Sequence, residues 1–200
     1  TKGIDSKEGG RIKQEIGNGN SLRTSFAYTT KDFKIGKFNF AGSFKRSDGL
    51  IDQTASKGFF YYLKWQKQFK NHIFSLSAFG APQEHDQRKY QTGMAVYDKE
   101  FAADQGVNVE SLEGGYGLTY NPNWGVYNNY KVVFENGLAV DTIWGEDRNV
   151  NKFKNYYHKP NFNFQHLWNI NENSSLTNVL YYSTGKGGGT GLHGGMINYT

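Results

Sequence analysis

The chain has 200 residues, no Cys and a mean hydropathy of −0.73, and no segment approaches the roughly 18 consecutive apolar residues of a membrane helix. This composition excludes disulfides, thiolate zinc sites, cysteine nucleophiles and membrane-spanning helices. The net charge of +5 comes from Lys and Arg that are scattered and form no basic stripe, so nucleic acid is not an expected partner. The 25 Gly, 14 Tyr and 15 Phe disfavour helix and favour strands, which predicts an all-β protein.

Apolar and polar residues alternate along most of the chain, which is the pattern of β-strands with two unlike faces. In the segment 20–30, for example, Phe26 and Tyr28 alternate with Ser25, Ala27 and Thr29. In chain order the predicted strands are 10–17, 20–30, 36–46, 57–68, 72–82, 158–170 and 174–185.

The two faces of these strands differ in a way that bears on the environment of the sheet. One face is rich in Phe, Tyr, Trp and Leu, and the other carries mainly Ser, Thr, Asn and Gln with a few Lys and Arg. A soluble sandwich, the alternative fold, buries Val, Ile and Leu and exposes many charges. The aromatic face instead favours an antiparallel up-and-down transmembrane β-barrel with a wet interior.

The connections between the predicted strands alternate between short and long after the first pair. Short connections at 69–71 and 171–173 alternate with longer ones at 47–56 and 82–157. A meander that crosses a membrane has this asymmetry, so we expect the segment 82–157 to be a long extracellular loop. We expect extra strands in it at 114–120 and 130–135, separated by a turn at 121–125.

The long loop is the expected ligand-binding region, because its aromatic side chains offer stacking surfaces for a sugar, a siderophore or a peptide. The alternative is that these side chains only pack the loop onto itself. The aromatic candidates are Tyr97, Tyr116, Tyr120, Trp124, Tyr127, Tyr130 and Trp144. On the strands, Arg23, Lys45 and Lys64 lie on the polar face and are the candidate lumen-facing residues, since charge is tolerated there.

No catalytic residue, metal site or cofactor is expected. The sequence lacks the G-x-S-x-G elbow of many hydrolases, and its histidines are far apart without the spacing of metal ligands. Seven strands are also too few for a bacterial single-chain barrel, which has at least eight. We therefore expect residues 1–200 to be a fragment of a larger barrel.

Several segments resemble TonB-dependent outer-membrane receptors, in particular those of Bacteroidota. Residues 1–3 (TKG) resemble the end of the junction between the plug domain and the barrel, and residues 10–15 (GRIKQE) resemble the first barrel strand. The further matching segments are 44–52 (FKRSDGLID), 79–88 (FGAPQEHDQR), 116–121 (YGLTYN), Trp124-Gly125, 155–160 (NYYHKP) and 185–191 (GKGGGTG).

The resemblance implies a barrel of about 22 strands around an N-terminal plug, in the outer membrane of a Gram-negative bacterium. It also implies that residues 1–200 are the N-terminal portion of this barrel, just after the plug. It implies energised uptake of a large or scarce nutrient, such as a siderophore, oligosaccharide or peptide, and no enzymatic activity. The implied partners are outer-membrane lipid, the plug of the same full-length chain and the TonB complex, and a surface lipoprotein is a further candidate. The alternatives are a passive porin or adhesin barrel and an outer-membrane hydrolase.

Overall fold

The computed structural model describes residues 6–89, 92–127, 130–145 and 148–191. The chain is an all-β protein of antiparallel strands, with 59% strand and only 6% helix, which confirms the predicted fold class at this level. The segment Thr1-Lys2-Gly3, which resembles a plug junction, lies outside the described residues. Among the described residues, no helix has the length and apolar character needed to cross a membrane.

The described residues form fourteen strands and two short helices. The strands are β1 (Gly9–Gly17), β2 (Ser21–Thr29), β3 (Lys37–Ser47), β4 (Ser56–Phe69), β5 (His72–Gly80), β6 (Gln83–Asp86), β7 (Trp124–Tyr127), β8 (Tyr130–Glu135), β9 (Leu138–Trp144), β10 (Arg148–Asn151), β11 (Lys154–His158), β12 (Asn161–Asn171), β13 (Ser174–Ser183) and β14 (Lys186–Gly189). The helices are α1 (Met94–Tyr97) and α2 (Lys99–Asp104).

A continuous antiparallel path runs through the main sheet in the order β1-β2-β3-β4-β5-β12-β13. These are the strands that the alternation predicts, and their ends differ from the predicted ends by at most three residues. Tight connections join β1 to β2 and β4 to β5, where Asn20 and Lys70 have φ values of 51° and 54°. A left-handed backbone conformation in a tight hairpin turn matches the twist of the two strands that the turn joins.

Three strands of the sheet continue beyond a short break as separate strands. β5 is followed by β6 after a break at 81–82, and β13 is followed by β14 after a break at 184–185. β12 is preceded by β11, with a break at 159–160 between them. Two of the breaks contain a proline, Pro82 and Pro160, which lacks the N–H that a ladder requires. Pairing then resumes, because β6 pairs with both β4 and β11, and β11 pairs with β14.

The chain divides into two compact units. Among the described residues the first unit consists of 6–48, 55–85 and 156–188, and it contains the main sheet. The second consists of 49–54, 86–155 and 189–191, and it contains most of the predicted long loop.

The second unit contains β8 and β9, which form the hairpin that its central dipeptide favours. Asn136 and Gly137 have φ values of 53° and 81°, the combination that a type I′ turn requires. The predicted strand 130–135 is therefore correct and is half of a hairpin. The predicted turn at 121–125 is also found at Pro122 and Asn123, just before β7.

The strand predicted at 114–120 is wrong. Gly114, Gly115 and Gly117 all have positive φ values, which breaks the extended conformation. The N–H groups of Gly115, Tyr116 and Gly117 donate to the carbonyl groups of residues 95–97 in α1, at 3.0 Å each. The segment thus satisfies its backbone against a helix, and no strand partner is needed.

Phe26 packs closely over Gly42, its cross-strand partner in β3. A Cβ atom on Gly42 would lie 2.5 Å from Phe26 Cε1, so the ring must move if a side chain is introduced. We expect Gly42→Ala to lower the free energy of unfolding by about 0.5–1.5 kcal/mol, the cost of forcing the half-exposed Phe26 ring off its rotamer, measured by urea titration. In the control Gly17→Ala the new Cβ meets nothing nearer than 3.6 Å, so equal losses in both variants would contradict the prediction.

Candidate functional site

The main sheet is polar where it is buried and apolar where it is exposed. Asn39, Gln66 and Ser75 are only 4–7% exposed, whereas Leu76 and Phe162 are 49% and 50% exposed. The buried apolar residues among those described, Ala95, Ala102 and Phe153, all belong to the second unit. The sheet thus has no buried apolar core within the described residues, the reverse of a soluble domain.

The register assigns each side chain to one of the two faces. Across the middle of the sheet, Phe40, Leu63, Ala78 and Phe162 are aligned on one face, called here the apolar face. On the opposite or polar face, Thr29, Asn39, Lys64, Ser77 and Asn163 are aligned in the same manner.

Aromatic and imidazole rings cluster on the apolar face near the short connections β4–β5 and β12–β13. The ring of His72 stacks on those of His166 and Trp168, with centroid distances of 5.2 and 5.3 Å. Phe74 stacks on His166 at 4.7 Å, and His72 Nδ1 lies 3.0 Å from His166 Nε2. Nearby, Trp65 Nε1 donates to the carbonyl oxygen of Ile35. These rings present apolar surface, and the ring nitrogens of Trp65, His72 and His166 have polar partners, as in amphipathic side chains with one apolar and one wet end.

The three basic residues predicted to face a lumen do share the polar face. Arg23 is paired with Lys45 across β2 and β3, and Lys64 lies on the same face of β4. Glu15 lies opposite Arg23, with Nε–Oε2 at 3.9 Å, and accepts a hydrogen bond from Lys13 at 2.7 Å. The positive charges of this face therefore outnumber the carboxylates of the same strands.

Two buried amide atoms on the polar face have no hydrogen-bond partner among the described residues, namely Asn39 Nδ2 and Gln66 Oε1. The other polar atom of each amide is bonded, because Asn39 Oδ1 accepts from Thr29 and Gln66 Nε2 donates to Ser75 Oγ. One donor and one acceptor on this face are thus left for water or for another polar segment.

Three of the predicted ligand-binding tyrosines lie in a cluster around Arg88 in the second unit. The Arg88 guanidinium lies 5.0 Å from the centroid of the Tyr97 ring, and its Nη1 donates to the carbonyl oxygens of Leu118 and Tyr120 at 3.0 Å. The rings of Tyr116 and Tyr120 are 4.7 Å apart. This cluster packs the segment onto itself, and Arg88, which sequence reasoning did not single out, holds it together.

The remaining aromatic candidates lie on strands of the second unit. Tyr130 and Trp144 face each other across β8 and β9 with ring centroids 5.3 Å apart, and they are 56% and 67% exposed. Trp124 and Tyr127 lie on β7, which pairs with β10. The candidate rings that the structure describes therefore do not form one cluster, and the exposed pair on the hairpin is the most accessible stacking surface among these described rings. The Asn136-Gly137 dipeptide was the sequence signal that could have predicted this pair.

We expect Arg88→Ala to loosen the segment 112–120, because two carbonyl groups and one ring lose their charged partner. Hydrogen bonds to charged groups contribute about 1.5–3 kcal/mol, and cleavage follows the population of the open form, so chymotryptic cleavage at Tyr116 and Tyr120 should rise about tenfold. Arg88→Lys should give an intermediate rate, because lysine lacks the planar fork. Lys34→Ala, in the first unit, is the control. Cleavage of Arg88→Ala at the control rate would show that Arg88 does not hold this segment.

Comparison with known proteins yields no match to the chain among protein-family models, curated proteins or solved structures.

Proposed function

We propose that the main sheet is part of a transmembrane β-barrel in the outer membrane of a Gram-negative bacterium. The observation that carries this proposal is the inverted burial of the sheet, with exposed Phe and Leu on one face and buried Asn, Gln and Ser on the other. Such a sheet in water would expose a large apolar surface, which marks a binding or membrane-contacting face. Against acyl chains the same face is stable, and the polar face lines a wet interior.

The connections of the sheet support the same orientation. At one end β4 joins β5 and β12 joins β13 through two residues each, whereas at the other end β5 and β12 are separated by the segment 81–160. In outer-membrane barrels the short turns face the periplasm and the long loops face outward. The segment 81–160 is accordingly extracellular in this proposal.

The edges of the path indicate that further strands complete the barrel. Within the described residues β1 and β13 each pair on one side only. An open edge in the bilayer would leave N–H and C=O groups without partners, at a cost of several kcal/mol for each group. Further strands of the full-length protein are therefore proposed to close the barrel.

Within this barrel we assign the function of a TonB-dependent receptor that takes up a large or scarce nutrient. The support is the resemblance of the segments 44–52 and 79–88 to that family, together with a polar face whose basic residues Arg23, Lys45 and Lys64 suit contact with acidic groups of a plug. The unsatisfied amide atoms of Asn39 and Gln66 are available to the same plug or to lumen water.

The membrane orientation is tested by single-cysteine variants of the full-length protein, in which any Cys outside residues 1–200 is first replaced, since these residues contain none. Phe40→Cys and Leu180→Cys are placed on the apolar face, and Ser43→Cys and Thr177→Cys on the polar face. A charged maleimide should label the polar-face positions once the lumen is made accessible, by solubilising the protein from isolated outer membranes or by displacing the plug. A lipid-soluble maleimide should label Phe40→Cys and Leu180→Cys directly. Direct labelling of those two positions by the charged reagent would refute the proposed membrane face.

The receptor is distinguished from a porin by conductance. The purified full-length protein in a planar bilayer bathed in KCl should show no steady conductance, because the plug fills the lumen. A constant conductance would support the passive porin instead. Lipid or peptide hydrolysis that disappears on replacement of one Ser would support the hydrolase.

A further inference from the structure

A cavity of about 480 Å³ lies where the apolar face reaches its outer end. Its apolar wall includes Phe44, Phe59, Pro82 and Tyr157, and the lining is mainly apolar. Lys57 and Lys186 lie in the same lining and are contributed by different strands, β4 and β14. All of its lining residues belong to the first unit.

The cavity is built by the strand extensions above the breaks. Lys57 pairs in register with Glu84 where β6 replaces β5 beside β4. β11 pairs with β6 and β14 with β11, so these extensions form one wall. Close packing fixes the wall, because a Cβ atom on Gly187 would lie 2.8 Å from Tyr157 Cβ. Nε2 of the lining residue His158 also lies 2.9 Å from Tyr61 Oη, and a Cβ atom on Gly80 would collide with Tyr61.

The charge of the cavity is unbalanced. Lys57 forms an ion pair with Glu84 at 2.7 Å, and Glu84 is the single carboxylate among the lining residues. Lys186 forms no ion pair with any described residue. One positive charge therefore remains in excess beside an apolar wall, which suits an anionic group attached to an apolar chain.

We propose that this cavity binds an acyl lipid with a phosphate-bearing headgroup, taken from the surrounding membrane. The acyl chain lies against Phe44 and Phe59, which continue the apolar face, and the phosphate is held by Lys186 and Lys57. A sugar or a polar peptide fits less well, because the mainly apolar wall offers few hydrogen-bonding groups. The inference rests on the membrane orientation proposed above, which places the cavity at the outer interface.

The test uses the full-length protein in detergent, with bound lipid counted by native mass spectrometry. The probes are dioleoylphosphatidic acid, dioleoylglycerol, which lacks the phosphate, and inorganic phosphate as a competitor. The test variant is Lys57→Gln with Lys186→Gln, and the matched control is Lys34→Gln with Lys70→Gln, which removes two charges at the other end of the sheet. Lys186→Glu is a second test variant, because it leaves the Lys57–Glu84 pair intact.

The wild type and the control should each retain one phosphatidic acid molecule. The double variant should bind it about tenfold more weakly, as expected for the loss of two partly exposed charge contacts, while dioleoylglycerol binding stays unchanged. Lys186→Glu should weaken binding at least as much. Equal binding by wild type and double variant, or displacement by inorganic phosphate alone, would overturn the lipid site. If either of these two results is obtained while Phe40→Cys is still shielded from the charged maleimide, the lipid site is overturned and the barrel proposal stands.

Discussion

Replacing Leu76 by Arg is expected to remove most of the full-length protein from the outer membrane. Leu76 is the middle residue of β5 and lies on the apolar face, 49% exposed. Arg on the lipid-facing side at the bilayer midplane costs about 2–4 kcal/mol. The measurement is the fraction of protein in the outer-membrane pellet that shows the heat-modifiable electrophoretic migration of a folded barrel.

The control for Leu76→Arg is the same change on the other face. Thr177 lies on the polar face of β13, opposite Leu167, and no lysine is its register partner. In a barrel, Thr177→Arg adds a charge to the lumen and should leave assembly near the wild-type level. The pair of variants separates two folds, because an exposed Leu76 in a soluble sandwich would tolerate Arg within about 0.5 kcal/mol. Normal assembly of Leu76→Arg would therefore remove the main support for the membrane proposal.

The main strands could be predicted from the sequence because each has two chemically different faces. In β3, Phe38, Phe40 and Phe44 alternate with Asn39 and Ser43, and a shift of one residue would move all of them to the wrong face. The same parity places Arg23, Lys45 and Lys64 on one face without knowledge of the structure. The direction in which that face is oriented follows from burial, which the alternation alone does not determine.

The second unit was harder to predict, because its structure depends on contacts between distant residues. The segment 114–120 alternates like a strand, but positive φ values at its glycines and its bonds to α1 determine its conformation. The helix α2 has a recognisable start, since Asp98 accepts a hydrogen bond from Phe101 N, but its length gives little periodicity. The aromatic pairs depend on strand register, so their partners could not be read from composition.

Replacing both Tyr130 and Trp144 by Ala is expected to reduce ligand retention by about tenfold or more. Exposed Tyr and Trp are the side chains that most often dominate a binding interface, with losses of 2 kcal/mol or more on truncation. Their rings are 5.3 Å apart on the β8–β9 hairpin and leave more than half of each residue exposed. The small molecules released from purified full-length protein by denaturation are quantified by mass spectrometry, per mole of protein.

The neighbouring residue Ile143 provides the matched control for this prediction. It is 55% exposed and lies next to Trp144 in β9, but successive side chains of a strand point to opposite faces. Ile143→Ala therefore removes a similarly exposed apolar side chain while the aromatic pair stays intact, and ligand retention should stay at the wild-type level. If the double variant retains as much ligand as Ile143→Ala, the hairpin is not part of the ligand site. Its two rings would then stabilise the hairpin itself, as cross-strand aromatic pairs do by about 0.2–1 kcal/mol.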